Sequence, residues 1–312
     1  MFDNDWTEHY IRKNNSSKPT YYIIRRQDPT VGLFSNYLVF AGKIKYALQN
    51  GFIPVIDMKN YPNAYLQPNL LGKENSWEYY FEQPFKINLD EAYNSENVIL
   101  SSGDDGEFVS GTMATFNNKN NILTEWRMLV KLGLLKVRDD LMKEFTDTYN
   151  KIFSENDRVM GVLMRGTDYT ARRPSQHPIP PTPEYAIPVI ITKMRDWNCN
   201  KLFLATEDKN YIPLFKQIFG DACIIPNNDY LNYDNSNPQA VNFLHTNREN
   251  DFYLRGKEYL SNMVICSKCN CFITCRTSGS VGVMMMADNF ENVLAFNLGN
   301  YNAIALQDFL DE

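Results

Sequence analysis

VMGVLMRGTDYTARRP, residues 159–174, is the stretch on which the reading of this chain turns. Its first six residues carry no polar side chain, and the run is too short for a buried helix. It reads as a strand covered on both faces, of the kind found in parallel sheets. The strand ends abruptly in charge: Arg165 and Asp168 flank Gly166 and Thr167, and Arg172 and Arg173 follow closely. Ligands of open α/β sheets sit outside the carboxyl ends of the strands. A basic cluster there, in a chain of formal net charge −6, suits a small anionic ligand.

Comparable apolar runs recur at 21–25, 52–57, 97–102, 201–207, 222–226, 271–275 and 292–297. Between them, helical periodicity covers 35–50, 123–135, 138–153, 183–197, 210–219, 252–266 and 280–290. Strand and helix in alternation predict parallel sheets with right-handed crossovers. The alternation is regular after residue 156 and looser before it, and the polar SENDR (154–158) marks a boundary. The expected fold class is α/β, with two Rossmann-like domains whose parallel sheets face each other across a cleft. The domains are expected at 1–155 and 156–295, with 296–312 a terminal helix packing back on the first. The Asn-rich segments 117–121 and 227–239 read as loops, the second long enough to help form a lid.

Composition excludes several classes. The chain has 312 residues, 44% hydrophobic and 22% charged, which is globular. Its acidity argues against nucleic-acid or anionic-membrane partners. The polar start shows no signal peptide, and no apolar run is long enough to span a bilayer, so a cytoplasmic location is expected. Four of the six cysteines cluster as Cys266, Cys269, Cys271 and Cys275, close to metal-ligand spacing. CFITC (271–275) reads as a buried strand, however, and reduced core thiols are expected rather than a zinc or iron–sulfur site. The sole D-x-D, Asp3-Asn4-Asp5, lies near the terminus and speaks against a metal-dependent GT-A transferase. A serine hydrolase elbow is one glycine short in Ser278-Gly279-Ser280-Val281-Gly282, and only His9, His177 and His245 are available as partners.

Three strand ends in the second half carry polar clusters: Arg165 to Asp168, then Thr206-Glu207-Asp208, then Arg276-Thr277-Ser278-Gly279-Ser280. The third precedes a helix, and its small residues and backbone N–H groups form the natural cradle for a phosphate. Arg165, on another strand end, can reach the same anion with a forked, charge-assisted contact.

GVLMRGTDY…HPIPPTPEY (161–185), KLFLATEDK (201–209), HTNRENDFYLRG (245–256) and CFITCRTSGS (271–280) follow in an order that resembles the fucosyltransferase superfamily. The resemblance is nearest to its α1,6 branch, covers roughly 160–285, and extends more weakly to VGLFSNYLVFAGKIKYALQNGFIPVID (31–57). It implies a GT-B fold, GDP-fucose in the second domain, a glycan acceptor in the cleft, inversion at the sugar, and neither metal nor cofactor. It assigns Arg165 to the donor's β-phosphate, with Asp168, Thr277 and Ser278 on matching motif positions and His177 lining the donor site.

The chain departs from that pattern at four places. Leu163 stands where the superfamily has a histidine, Gly166 where it has a second arginine, and Asn262 near the aspartate that reads guanine. Arg173 falls on the glutamate proposed as base. Glu258 is then the nearest carboxylate for guanine's N–H groups. Transfer needs stabilisation of the leaving diphosphate, which Arg165 and a helix N-terminus supply. It also needs a group to take the acceptor proton. Asp168 is the first choice, with Glu184 and Asp105 behind it. Gly166, Thr167, Thr206, Glu207, Asp208, Arg248, Arg255, Gly279 and Ser280 complete the expected donor site. Another nucleotide sugar, or a non-catalytic nucleotide-sugar or glycan-binding protein, remains open. The usage of Asn, Lys and Tyr fits bacterial surface-glycan assembly, with peripheral association with a glycan-assembly complex.

Overall fold

The computed structural model describes residues 19–26, 28–102, 122–228, 244, 246 and 248–302. Asp3-Asn4-Asp5, His9, Asp105, the segment 117–121, most of the loop 227–239, His245 and the final ten residues of the expected terminal helix lie outside the described residues.

Among the described residues eight strands form two sheets, and every strand pairing within them is parallel. The first sheet has β1 (Tyr21–Arg25), β2 (Ile53–Asp57) and β3 (Val98–Leu100) in the order β2-β1-β3. The second has β4 (Val159–Met164), β5 (Lys201–Thr206), β6 (Cys223–Ile224), β7 (Cys271–Cys275) and β8 (Asn292–Phe296) in the order β6-β5-β4-β7-β8. The α-helices among the described residues are α1 (Leu33–Gln49), α2 (Leu89–Tyr93), α3 (Ile122–Lys131), α4 (Asp139–Ile152), α5 (Asp168–Arg172), α6 (Pro183–Asp196), α7 (Tyr211–Phe219), α8 (Asp251–Ser267) and α9 (Ser278–Met286).

The stretch 159–164 behaves as its composition predicts. All six residues are buried, and alternate side chains enter different cores. Val159 and Leu163 join one cluster with Phe203 and Phe272, while Met160, Val162 and Met164 join the other with Leu202, Leu204 and Ile273. Gly161 lies on the first face, where a Cβ would stand 3.3 Å from the Cys269 thiol. The sheet is therefore covered on both sides, and all six cysteines are free and buried.

The first cluster does not stop at one sheet. It includes Tyr22, Ile24 and Ile56 from the first sheet, and α1, α8 and α9 supply the residues between. Gly282 of α9 lets the Phe34 ring of α1 come so close that a Cβ would overlap it. The Tyr80 hydroxyl donates to the carbonyls of Phe252 and Tyr253 at 3.2 and 2.9 Å, and Arg127 Nε donates to the Met284 carbonyl at 2.8 Å.

Several expected boundaries shift; the strands read at 97–102 and 222–226 shorten to Val98–Leu100 and Cys223–Ile224. The helix read at 123–135 ends at Lys131, because Gly133 turns into the left-handed region (φ 73°). The helix read at 280–290 starts two residues earlier, where Thr277 caps it, and ends at Met286. The short helices α2 and α5 have too few residues to show periodicity. Among the described residues, no helix is long and apolar enough to cross a membrane.

If the Gly282–Phe34 contact joins the two sheets, Gly282→Ala should destabilise the chain by about 1–3 kcal/mol, through overpacking at a site with no room. Urea unfolding checks this; an unchanged midpoint would mean that Phe34 moves aside freely.

Candidate functional site

Strand β4 is the first of its sheet in sequence. β5 and β6 are added on one side of it, and β7 and β8 on the other. The chain reverses its direction of winding between β4 and β7, the arrangement that in open α/β sheets places a ligand crevice at the strands' carboxyl ends. Arg165 leaves β4 there, and Arg276 and Thr277 leave β7.

The turn after β4 is tightly held. Thr167 has φ 48° and ψ −121°, an outlier for a β-branched residue that costs on the order of 1–3 kcal/mol. Two carboxylates from the end of β5 impose it. Glu207 Oε1 accepts from Gly166 N at 3.0 Å and from Thr167 Oγ1 at 3.1 Å, and Asp208 Oδ2 accepts from Thr167 N at 3.0 Å. Thr206 Oγ1 in turn accepts from Asp208 N at 3.1 Å. A Cβ at Gly166 would overlap the Asp208 carboxylate and lie 2.8 Å from the Tyr211 hydroxyl. Any side chain at 166 would force Asp208 and Tyr211 to shift.

Arg165 is fixed by the same cluster. Its Nη2 donates to Asp168 Oδ1 at 3.1 Å, its Nε lies 3.4 Å from Glu207 Oε1, and its guanidinium carbon sits 4.7 Å from the Tyr169 ring centre. Burial works against its charge, but Glu207 and Asp168 outweigh it and hold the group above the ordinary arginine value. A quarter of the side chain stays exposed. His177, exposed, stands edge to face with Tyr169, ring centroids 5.6 Å apart.

The β7–α9 turn supplies the second half. Thr277 caps α9, its Oγ1 accepting from Ser280 N at 3.3 Å. The Ser280 hydroxyl is wholly buried and used internally: it lies 2.6 Å from Thr274 Oγ1 and 2.9 Å from Thr277 Oγ1, and donates to the Cys275 carbonyl. The first amides of a helix have no intrahelical acceptor. Those of Ser278 and Gly279 remain at the crevice, with no acceptor among the described residues. The Cys275 thiol, whose pKa burial pushes up to about 12, donates to the Leu163 carbonyl of β4 at 3.8 Å, so the two strands are joined near their ends.

Between Arg165 and α9 stands Tyr259 of α8. Its hydroxyl fills the space that a Cβ of Gly279 would need, and it feels the Arg165 charge. From the first sheet's side comes Tyr65, whose hydroxyl accepts from Leu33 N at 2.6 Å. Burial raises its pKa to about 12, opposed by the Leu33 amide and by the charges of Arg255 and Arg165.

The remaining expected residues separate. Arg248 grips both oxygens of Glu258, at 2.6 and 3.0 Å, and also Asp251 at 3.0 Å, and Arg255 Nη2 reaches Asp251 at 2.5 Å. These side chains tie the segment before α8 to the helix, and Glu258 is engaged in that pair. Asn262 lies one turn beyond Tyr259 on α8, buried, and its Oδ1 has no hydrogen-bond partner among the described residues. Glu184 is exposed in the first turn of α6, close enough for Tyr211 to feel its charge; its own N–H and Thr182 hold its pKa down. Sequence reasoning missed Tyr259, Tyr65, Tyr211 and Asp251. Only Asp251 left a signal, its spacing of four from Arg255 at a helix start.

No protein-family model matches the chain, and no curated protein sequence matches it. Solved structures do. One of NodZ alpha-1,6-fucosyltransferase, soaked with GDP-fucose, is similar over 92% of this chain and 98% of its own, at 16% identity and TM-score 0.52. Another, of fucosyltransferase NodZ from Bradyrhizobium, is similar over 93% and 98%, at 16% identity and TM-score 0.51. The likeness establishes the fold, an α/β chain of parallel sheets that is GT-B-like as the sequence resemblance implies.

Asp251 generates a pH-dependent stability. Burial would raise its pKa, but Thr246, Arg255 and Arg248 hold it at about 2, against an ordinary 3.8. A depressed folded pKa contributes stability that is full above the unfolded value and lost as pH falls through the folded one. Nearly two units correspond to about 2.5 kcal/mol at neutral pH, roughly half of it gone by pH 3. The cost of Asp251→Asn, from urea unfolding at pH 7 and pH 3, should shrink accordingly. A cost independent of pH would contradict the assignment.

Proposed function

We propose that this chain is a fucosyltransferase-type glycosyltransferase that moves fucose from GDP-fucose to a glycan hydroxyl, inverting the sugar's configuration without a metal. The observation that carries the reading is the convergence at the switch point: a fixed guanidinium at the end of β4 beside the capped N-terminus of α9 at the end of β7. Together these supply a cation and oriented N–H dipoles for a diphosphate.

As the glycosidic bond to the donor breaks, negative charge grows on the leaving diphosphate. Arg165 cannot deprotonate and is held in place before the reaction, so it stabilises that charge with little reorganisation. The acceptor hydroxyl loses its proton as it attacks, and Asp168, whose Oδ1 is 3.1 Å from the Arg165 guanidinium, is the carboxylate best placed to accept it. Glu184 stands farther out, exposed. The buried Oδ1 of Asn262 offers an acceptor for a base with N–H donors, as guanine has. In this reading residues 1–155 form the acceptor side and 156–295 bind the donor across a cleft; the described start of the expected terminal helix, Gly299 to Tyr301, instead bonds to the 176–179 segment.

One observation favours a second reading. Asn262 is neutral where the superfamily resemblance expects an aspartate, so another nucleotide sugar can use the same diphosphate grip.

Thermal-shift titration with GDP, UDP, dTDP and CMP separates the two readings: GDP should stabilise the chain most, and stabilisation by UDP alone would favour the second. Arg165→Ala should cut transfer from labelled GDP-fucose by about a hundredfold or more, with the circular dichroism spectrum retained. Unchanged turnover would remove Arg165 from the mechanism.

A further inference from the structure

The hydroxyl of Tyr259 occupies a position that the rest of the site does not explain. The ring is set by packing: it stands edge-on to Phe34 of α1, centroids 5.5 Å apart at 89°. That orientation carries the hydroxyl over the first turn of α9, against Gly279, where any side chain would collide with it. Gly279 is thus the residue that lets a phenol reach the helix N-terminus. The same hydroxyl lies within electrostatic range of Arg165 on the neighbouring strand. It therefore stands between the two groups that make up the anion grip.

A tyrosine hydroxyl both donates and accepts, whereas the Arg165 guanidinium and the α9 amides only donate; Glu207 and Tyr65 also lie within its electrostatic range. Among the described residues Tyr259 Oη has no hydrogen-bond partner, and it is not sealed from solvent. Burial raises its pKa, so at neutral pH it keeps its proton and remains a donor. A packing role alone would be served by phenylalanine, which leaves no polar atom to be satisfied.

Resting on the donor site described above, we propose that Tyr259 is a further donor-binding residue, its hydroxyl donating a hydrogen bond to the terminal phosphate of the nucleoside diphosphate. The phosphate then receives three kinds of donor: guanidinium N–H, helix amide N–H and phenol O–H.

Tyr259→Phe tests this, because it keeps the ring on Phe34 and removes only the oxygen. Calorimetric titrations of wild type and variant use GDP and GMP, with UDP and UMP alongside. The variant should melt like the wild type without nucleotide. It should bind the preferred diphosphate about tenfold more weakly or worse, the loss of a hydrogen bond to a charged group, and the monophosphate equally well. A variant that binds the diphosphate as the wild type does overturns the assignment and leaves the proposed function standing. Equal losses for diphosphate and monophosphate also overturn it, since the hydroxyl would not be on the terminal phosphate. A wild type that binds none of the four nucleotides overturns the nucleotide reading itself and this inference with it.

Discussion

Two carboxylates from β5 hold the turn that leaves β4, and the site depends on that clamp. Glu207 and Asp208 accept the backbone N–H groups of Gly166 and Thr167 and keep Thr167 in a strained conformation. The clamp sets the direction in which Arg165 departs, and Glu207 also faces the guanidinium. Acidic residues are thus used to position a cation. The cost is a local excess of negative charge beside the proposed diphosphate site, which the N-terminus of α9 and the exposed part of Arg165 offset.

Packing brings the second half of the site to the first. Gly279 and Gly282 lie three residues apart on α9 and receive Tyr259 and Phe34. Tyr259 and Phe34 touch each other edge to face. Close approach at two glycines therefore joins α1, α8 and α9 within the apolar cluster that runs through both sheets. Tyr65 extends this contact toward Arg165 and Arg255. These side chains meet where the two sheets share their core, so burial sets their geometry.

The fold was legible because it rests on local patterns. Short β-branched runs separated by amphipathic helices announce parallel strands, and β1 and β7 begin and end where the apolar runs do. The strand-end clusters were legible for the same reason, since topology places every strand's carboxyl end on one edge. What could not be read depends on contacts between distant segments. Nothing near residue 258 says that Arg248 takes both oxygens of Glu258. Nothing in GTD says that a side chain at 166 would meet Asp208. Tyr259 looks like any helical aromatic until α9 is packed against it. Ser280 looks like a phosphate ligand until its hydroxyl is found bonded inside the turn.

A crystal structure of the chain grown with GDP tests the central claim most directly. The account places the diphosphate at the carboxyl ends of β4 and β7, with phosphate oxygens at hydrogen-bond distance, about 2.7–3.2 Å, from the Arg165 guanidinium and from the amides of Ser278 or Gly279. Diphosphate density bound elsewhere on the chain, with this crevice holding only solvent, would contradict it.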